Sequence, residues 1–96
     1  LPAGVVVQEI RGLSAERDAQ HIALVAKFVK HPVPKVREAT AVALGRLNAQ
    51  QHVDDLLAMI SPAETVPNVR LAAQKALSAL SGGEDHGYDI AAWRKT

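Results

Sequence analysis

The chain has 96 residues, 48% of them apolar but only 3% aromatic, with no cysteine and a formal charge of +1. That length holds a single domain, close to the size at which one hydrophobic core becomes self-supporting. Disulfides, thiolate nucleophiles and thiolate metal sites are excluded, and no apolar run approaches the ~20 residues that span a bilayer.

The apolar content is mostly Ala, Val and Leu, which suits helices packed closely over small side chains. Charge is uneven. Residues 1–50 carry seven Lys/Arg against four Asp/Glu, whereas residues 51–96 carry four against six. Neither balance is large enough to steer a polyanion strongly. A chain that opens on Leu1 rather than methionine is consistent with a piece of a longer protein or a processed product.

In chain order, residues 1–13 hold the one β-branched cluster, Val5-Val6-Val7, followed by Ile10 and Leu13 three apart. We read them as the tail of a preceding unit's second helix. A leading helix is expected from about Ala15 to Lys30 with Ser14 as its N-cap. Ile22, Val25, Ala26 and Val29 share a face at the 3.6-residue period, and Leu24 and Phe28 widen it. Pro34 opens a second helix, where its missing N–H costs nothing. Val36, Ala39, Thr40, Ala43 and Leu47 face the core there, with Leu44 beside them. A short helix near Gln51–Ile60 follows, with Asp54 and Asp55 at its positive end. Ser61 to Glu64 has capping-box spacing, so a brief helical turn is expected in the connection. A last helix over 68–80 buries Val69, Ala72, Ala73, Ala76 and Leu80, and Ser81-Gly82-Gly83 stops it. In the tail, Asp89 caps a short helix carrying Ala92 and Trp93. Tyr88 and Trp93 are expected to fold back over the open edge of helix 68–80.

These elements repeat. At an offset of 33 residues, Pro34, Val36, Arg37, Ala39, Ala43, Leu44 and Leu47 match Pro67, Val69, Arg70, Ala72, Ala76, Leu77 and Leu80. Upstream, at an offset of 31, Gln20-His21-Ile22 matches Gln51-His52-Val53. The two-residue difference falls in a connection, where insertion is thermodynamically cheap. The division is one helical-repeat domain: partial repeat 1–13, repeats 14–47 and 48–81, and a capping tail over 82–96. Two such units are marginal alone, since about three are usually needed. Either the two ends complete the stack or the parent array was longer.

Over Asp18–Leu80 the pattern Pro-x-Val-Arg-x-x-x-x-x-Ala-Leu-x-x-Leu, present twice, resembles the HEAT repeat in its short form common in bacterial proteins. The resemblance implies an all-α chain, a right-handed α-α superhelix of stacked antiparallel helix pairs. In that family an Asp six residues before the Arg ties neighbouring repeats in a ladder; here the position holds His31 and Glu64. Residues 83–93 are similar to a tail that often closes such arrays. Most relatives are scaffolds or adaptors, although some act on chromophore proteins or damaged DNA through their concave surface.

Chemistry-bearing patterns are sparse. His21, His31, His52 and His86 form no i, i+4 pair and no His-Glu-x-x-His segment. His21 and His52 are equivalent, and we read them as polar helix-start residues rather than a metal pair. Ser14, Ser61, Ser78 and Ser81 have no evident His–Asp assembly. Arg37 and Arg70 sit early in helices, where a bare cation opposes the dipole. An acceptor is therefore expected, from Glu64, Asp54, Asp55 or neighbouring carbonyls, unless the pair reads a partner's acidic groups. The ladder position of the resemblance implies Glu64 for Arg37. Lys27, Lys30, Lys35, Arg37 and Arg46 make a moderate basic cluster without aromatic interleaving, which disfavours nucleic acid.

The function expected is a non-enzymatic scaffold that binds another protein or neighbouring repeats of its parent chain. Lys27, Lys35, Arg37, Arg46, Arg70 and Trp93 are the candidate partner-binding residues. No cofactor and no metal are expected. Two alternatives stay open: a domain of an enzyme whose chemistry lies in flanking sequence, and a weak nucleic-acid binder using a basic ridge through Lys27, Lys35 and Arg46.

Overall fold

The computed structural model describes residues 2–95. Leu1 and Thr96, the outer ends of the expected partial repeat and tail, lie outside the described residues. The chain folds as α1 (Ala3–Ala15), a 3-10 turn (Ala19–His21) running into α2 (Ile22–Ala26), and α3 (Pro34–Arg46). A second 3-10 turn (Gln50–His52) runs into α4 (Val53–Ile60), followed by α5 (Pro67–Leu80) and α6 (Ile90–Arg94). No strand occurs among the described residues, and no helix there is long and apolar enough to cross a membrane.

Two layers result. In one, α3 lies between α1 and α5 and packs on both; in the other, α2 packs on α3 and α4 on α5. The extents of 37 × 28 × 16 Å fit two helix layers at ordinary interaxial spacing. α3 is the centre of the core: Val36, Thr40, Ala41 and Leu44 are fully buried. α5 repeats the pattern with Val69, Ala73 and Leu77, and α1 contributes Val6 and Ile10. The β-branched Val5-Val6-Val7 therefore lies in a helix, because burying one face against α3 outweighs a small propensity cost.

α3 and α5 approach each other closely. A Cβ added at Gly45 would stand 3.0 Å from both Cα and Cβ of Ala76. Glycine here lets two backbones meet, a role the sequence did not disclose.

Several local expectations are corrected. Ser14 is not an N-cap. It lies in the last turn of α1, buried, with its hydroxyl donating to the Arg11 carbonyl at 3.1 Å. The helix stops beyond it because Arg17 takes a left-handed φ of 52°, and Asp18 caps the next turn by accepting from the Gln20 N–H at 2.9 Å. Asn48, at φ 54°, is its counterpart one unit on. The first leading helix is accordingly shorter than Ala15–Lys30. After Ala26 the chain makes tighter i→i+3 bonds, from Phe28 to Val25 and His31 to Phe28. Pro32 then disfavours helical backbone at His31. Leu24 points outward rather than widening the core stripe. Ser61 to Glu64 forms a turn, not a helix, because the Glu64 side chain is engaged elsewhere.

Candidate protein-interaction surfaces

The strongest polar contact joins the two repeats. Val33 and Val66, a further identical pair, are extended at φ −86° and −92° and precede Pro34 and Pro67 as N-caps without a capping side chain. Three residues into α3, Arg37 lays its fork on Glu64: Nε donates to Oε1 at 2.8 Å and Nη2 to Oε2 at 3.0 Å. Nη1 donates to the carbonyls of His31 and Pro32 at 2.9 and 3.1 Å. The two side chains retain 18% and 8% exposure. The hydrogen bond from Arg37 holds the Glu64 carboxyl below its ordinary pKa against the opposing effect of burial, with help from the Val66 N–H. The same bond holds the guanidinium above its ordinary value. This is the acceptor that the dipole argument asked for, and it removes Arg37 from the free surface.

His31, at the position equivalent to Glu64, keeps half of that role. Its Nδ1 accepts from the Val33 N–H at 3.0 Å, as Glu64 Oε2 accepts from the Val66 N–H at 3.1 Å. The turn-closing bond survives, but the position 33 residues before Arg37 is Gly4, so no arginine reaches His31 from α1.

Arg70 is placed differently from Arg37. Its Nη2 donates to the Ile60 carbonyl at 2.8 Å, while its buried Nε has no acceptor among the described residues. A buried N–H left so costs about 1–3 kcal/mol. The Tyr88 ring lies over the guanidinium with Cζ 4.4 Å from its centroid, returning about 0.5–1 kcal/mol at an exposed site. Tyr88 is 44% exposed, so it covers this cation rather than the core. Trp93 does cover the core. It is 5% exposed, and its Nε1 donates to the Gly87 carbonyl at 2.8 Å while His86 meets its ring edge-on. As expected, Asp89 caps α6, accepting from the Ala92 N–H at 3.1 Å. A Trp held inside in this way offers no anchor on the outer surface.

The exposed side of the α1–α3–α5 layer carries the other candidates. One groove of about 510 Å³ is lined by Arg11, Lys35, Glu38, Val42 and Arg46. A second, of about 420 Å³, shares Val42 and Arg46 and adds Arg17 and Lys75. Five cations thus face one acid, Glu38, which stands 3.7 Å from Lys35. Val42 is 42% exposed at the junction, and Leu71 is 43% exposed on α5. Lys27 lines neither groove; it sits in the turn after α2, in the other layer. The expected ridge therefore keeps Lys35 and Arg46, loses Lys27, and gains Arg11, Arg17 and Lys75. A helical stripe was the available signal: Lys35, Glu38, Val42 and Arg46 fall at i, i+3, i+7 and i+11, in register with Asn68, Leu71, Lys75 and Ala79.

The imidazoles are engaged separately. His21 Nδ1 lies 2.8 Å from the Leu13 carbonyl, His52 Nδ1 2.9 Å from Asp55, and His86 Nε2 3.1 Å from Glu84. His21 and His52, though equivalent, have these different partners, and no grouping of three or more His, Asp or Glu suited to a metal occurs among the described residues. A further groove, about 620 Å³, lies between α4, α5 and the tail. It mixes Leu57, Leu77 and Trp93 with Asp54, Glu84 and Arg94. Arg94 meets the exposed Asp54 at 3.2 Å.

Comparison with curated proteins and with solved structures returns no match. Residues 8–88 match the family of HEAT repeats, a span that takes in the end of α1, both helix pairs and the start of the tail. By sequence pattern, by all-helical structure and by that match, the chain belongs to the HEAT repeats.

Proposed function

We propose that the chain is a protein-binding module in which α1, α3 and α5 form the inner layer of a right-handed superhelix, facing an acidic segment of another protein. HEAT repeats are in general interaction and scaffold modules, and the face described above supports this reading. The observation that carries the reading is the pair of grooves joined at Val42 and Arg46, with five cations, one acid and exposed Val42 and Leu71. Such a surface complements a chain of carboxylates interrupted by apolar side chains. Opposite charge speeds encounter and sets register, while the apolar contacts lengthen residence.

Lys35, Arg46, Arg11, Arg17 and Lys75 are the residues assigned to this contact. The test is anisotropy of a labelled acidic peptide with a leucine every fourth position, beside a single-stranded oligonucleotide of equal charge. Peptide binding should weaken about tenfold or more in Arg46→Glu/Lys75→Glu, since two attractions become repulsions. Unchanged peptide affinity in that variant would refute the location. Equal or tighter binding of the oligonucleotide would favour the nucleic-acid reading instead.

A further inference from the structure

The two arginines of the repeat stand in one local frame but in two states of occupancy. Each is the fourth residue of a helix that opens on proline after an extended valine, so the two share one backbone frame although their side chains meet different partners. Arg37 shows what that frame holds when filled: a carboxylate taken along the Nε/Nη2 edge, presented from the turn that opens the next helix. Arg70 offers the same edge incompletely used. Its Nη2 rests on the Ile60 carbonyl, its buried Nε has no acceptor among the described residues, and an exposed tyrosine ring covers the cation.

We propose that Arg70 is a carboxylate-binding fork, covered by Tyr88, for an Asp or Glu that another polypeptide presents as Glu64 is presented to Arg37.

The guanidinium edge favours an acceptor with two oxygens that meet Nε and Nη2 together, and the Arg37–Glu64 pair shows a carboxylate filling it. The cover can move without unfolding the tail. The tail backbone is fastened on either side of Tyr88, at the Gly87 carbonyl by Trp93 and at Asp89 by its cap on α6. Rotation about the Tyr88 Cα–Cβ bond then lifts the ring from the guanidinium face. Gln74 and Asp85, joined at 2.9 Å, tie the start of the tail to α5 and leave this movement alone. The site is separate from the α1–α3–α5 face and does not depend on it.

The internal repeat also supplies the probe. A capped peptide with the sequence of Ser61–Pro67 carries the glutamate in the context that Arg37 accepts. Titrated into the ¹⁵N-labelled full chain, it should shift the Arg70 Nε–H resonance saturably toward the position of Arg37, whose own resonance stays fixed. Tyr88→Ala should tighten this binding about two- to fivefold, because the cation–π contact no longer has to be broken first. Arg70→Lys removes the Nε–H, so binding there is followed at the Tyr88 backbone amide, which should also shift in the parent. The substitution should abolish that shift, with an unchanged Arg37 resonance reporting that the chain remains folded. Four results would overturn the proposal. They are no Arg70 shift up to about 10 mM peptide, weaker than any specific site worth the name; the same shift from the glutamine version of the peptide; the same shift from inorganic phosphate at equal concentration; or weaker binding in Tyr88→Ala.

Discussion

Replacing Glu64 with alanine tests the contact that joins the repeats. The change removes two charge-assisted hydrogen bonds of 2.8 and 3.0 Å and the acceptor of the Val66 N–H. Were the pair fully exposed, the loss would stay near 0.2–1 kcal/mol. Were it fully desolvated, stranding the partner would cost about 3–5 kcal/mol. With 18% and 8% exposure the pair lies toward the second limit. Arg37 keeps the carbonyls of His31 and Pro32, however, and its remaining exposure admits some water. We expect a loss of about 2–3 kcal/mol, on the order of 10–20 °C in Tm for a domain of this size. Urea titration followed by circular dichroism gives the free energy. A cycle with Arg37→Ala should return a coupling of about 1–3 kcal/mol. Zero coupling, with each single variant within about 0.5 kcal/mol of the parent, would refute the clamp and return Arg37 to the candidate partner-binding residues.

The same pair predicts a pH dependence. The folded Glu64 carboxyl titrates below its unfolded value, so its stabilisation is present above about pH 4.3 and is lost as pH falls through the lowered folded value. Denaturation midpoints should fall more steeply on the acid side for the parent than for Glu64→Gln; parallel acid limbs would contradict this. Ala76→Leu should cost about 1–3 kcal/mol, because Gly45 leaves no room beside Ala76; an unchanged melting temperature would mean the crossing is looser than described. Arg17→Gly should stabilise by about 0.5–1 kcal/mol by relieving a left-handed residue, and calorimetry showing a loss would mean the Arg17 side chain makes a compensating contact.

What could be read from the sequence was what repetition or periodicity writes twice. Pro34/Pro67 and Arg37/Arg70 marked the second helices; the helix-dipole argument asked for an acceptor at Arg37, and the ladder position implied by the family resemblance pointed to Glu64 without coordinates. Helix ends were harder, because hydrogen-bond competition over one or two residues decides them. Ser14 has the chemistry of a cap, yet it lies inside α1, since the reversal at Arg17 comes three residues later. The second arginine was legible only in part. Its bond to the Ile60 carbonyl is one of the acceptors expected, but Tyr88 reaches it from a tail that has no counterpart in the first unit, so repetition carried no information about that contact. The basic face was half visible. Lys35 and Arg46 share a helix and a stripe, but Arg11, Arg17 and Lys75 join them only through the side-by-side packing of α1, α3 and α5. Lys27 was drawn in by closeness in sequence alone.

The residue at position 31 or 64 has a consequence for the order in which this chain assembles. Glu64 bonds both to Val66, two residues away, and to Arg37, twenty-seven residues away. The short contact closes by local chain motion, on the order of 100 ns or faster, whereas the long one waits until α3 and α5 have docked. The turn is therefore already shaped when the arginine arrives, and the fork meets a carboxylate whose direction is set. Interactions completed that late are absent from the folding barrier and act instead on the rate of escape. Loss of the Arg37–Glu64 contact should thus leave folding nearly as fast and make the native state shorter-lived, while the His31 imidazole, which bonds within its own turn and has no arginine from α1, helps the first unit take shape without a matching effect on its survival.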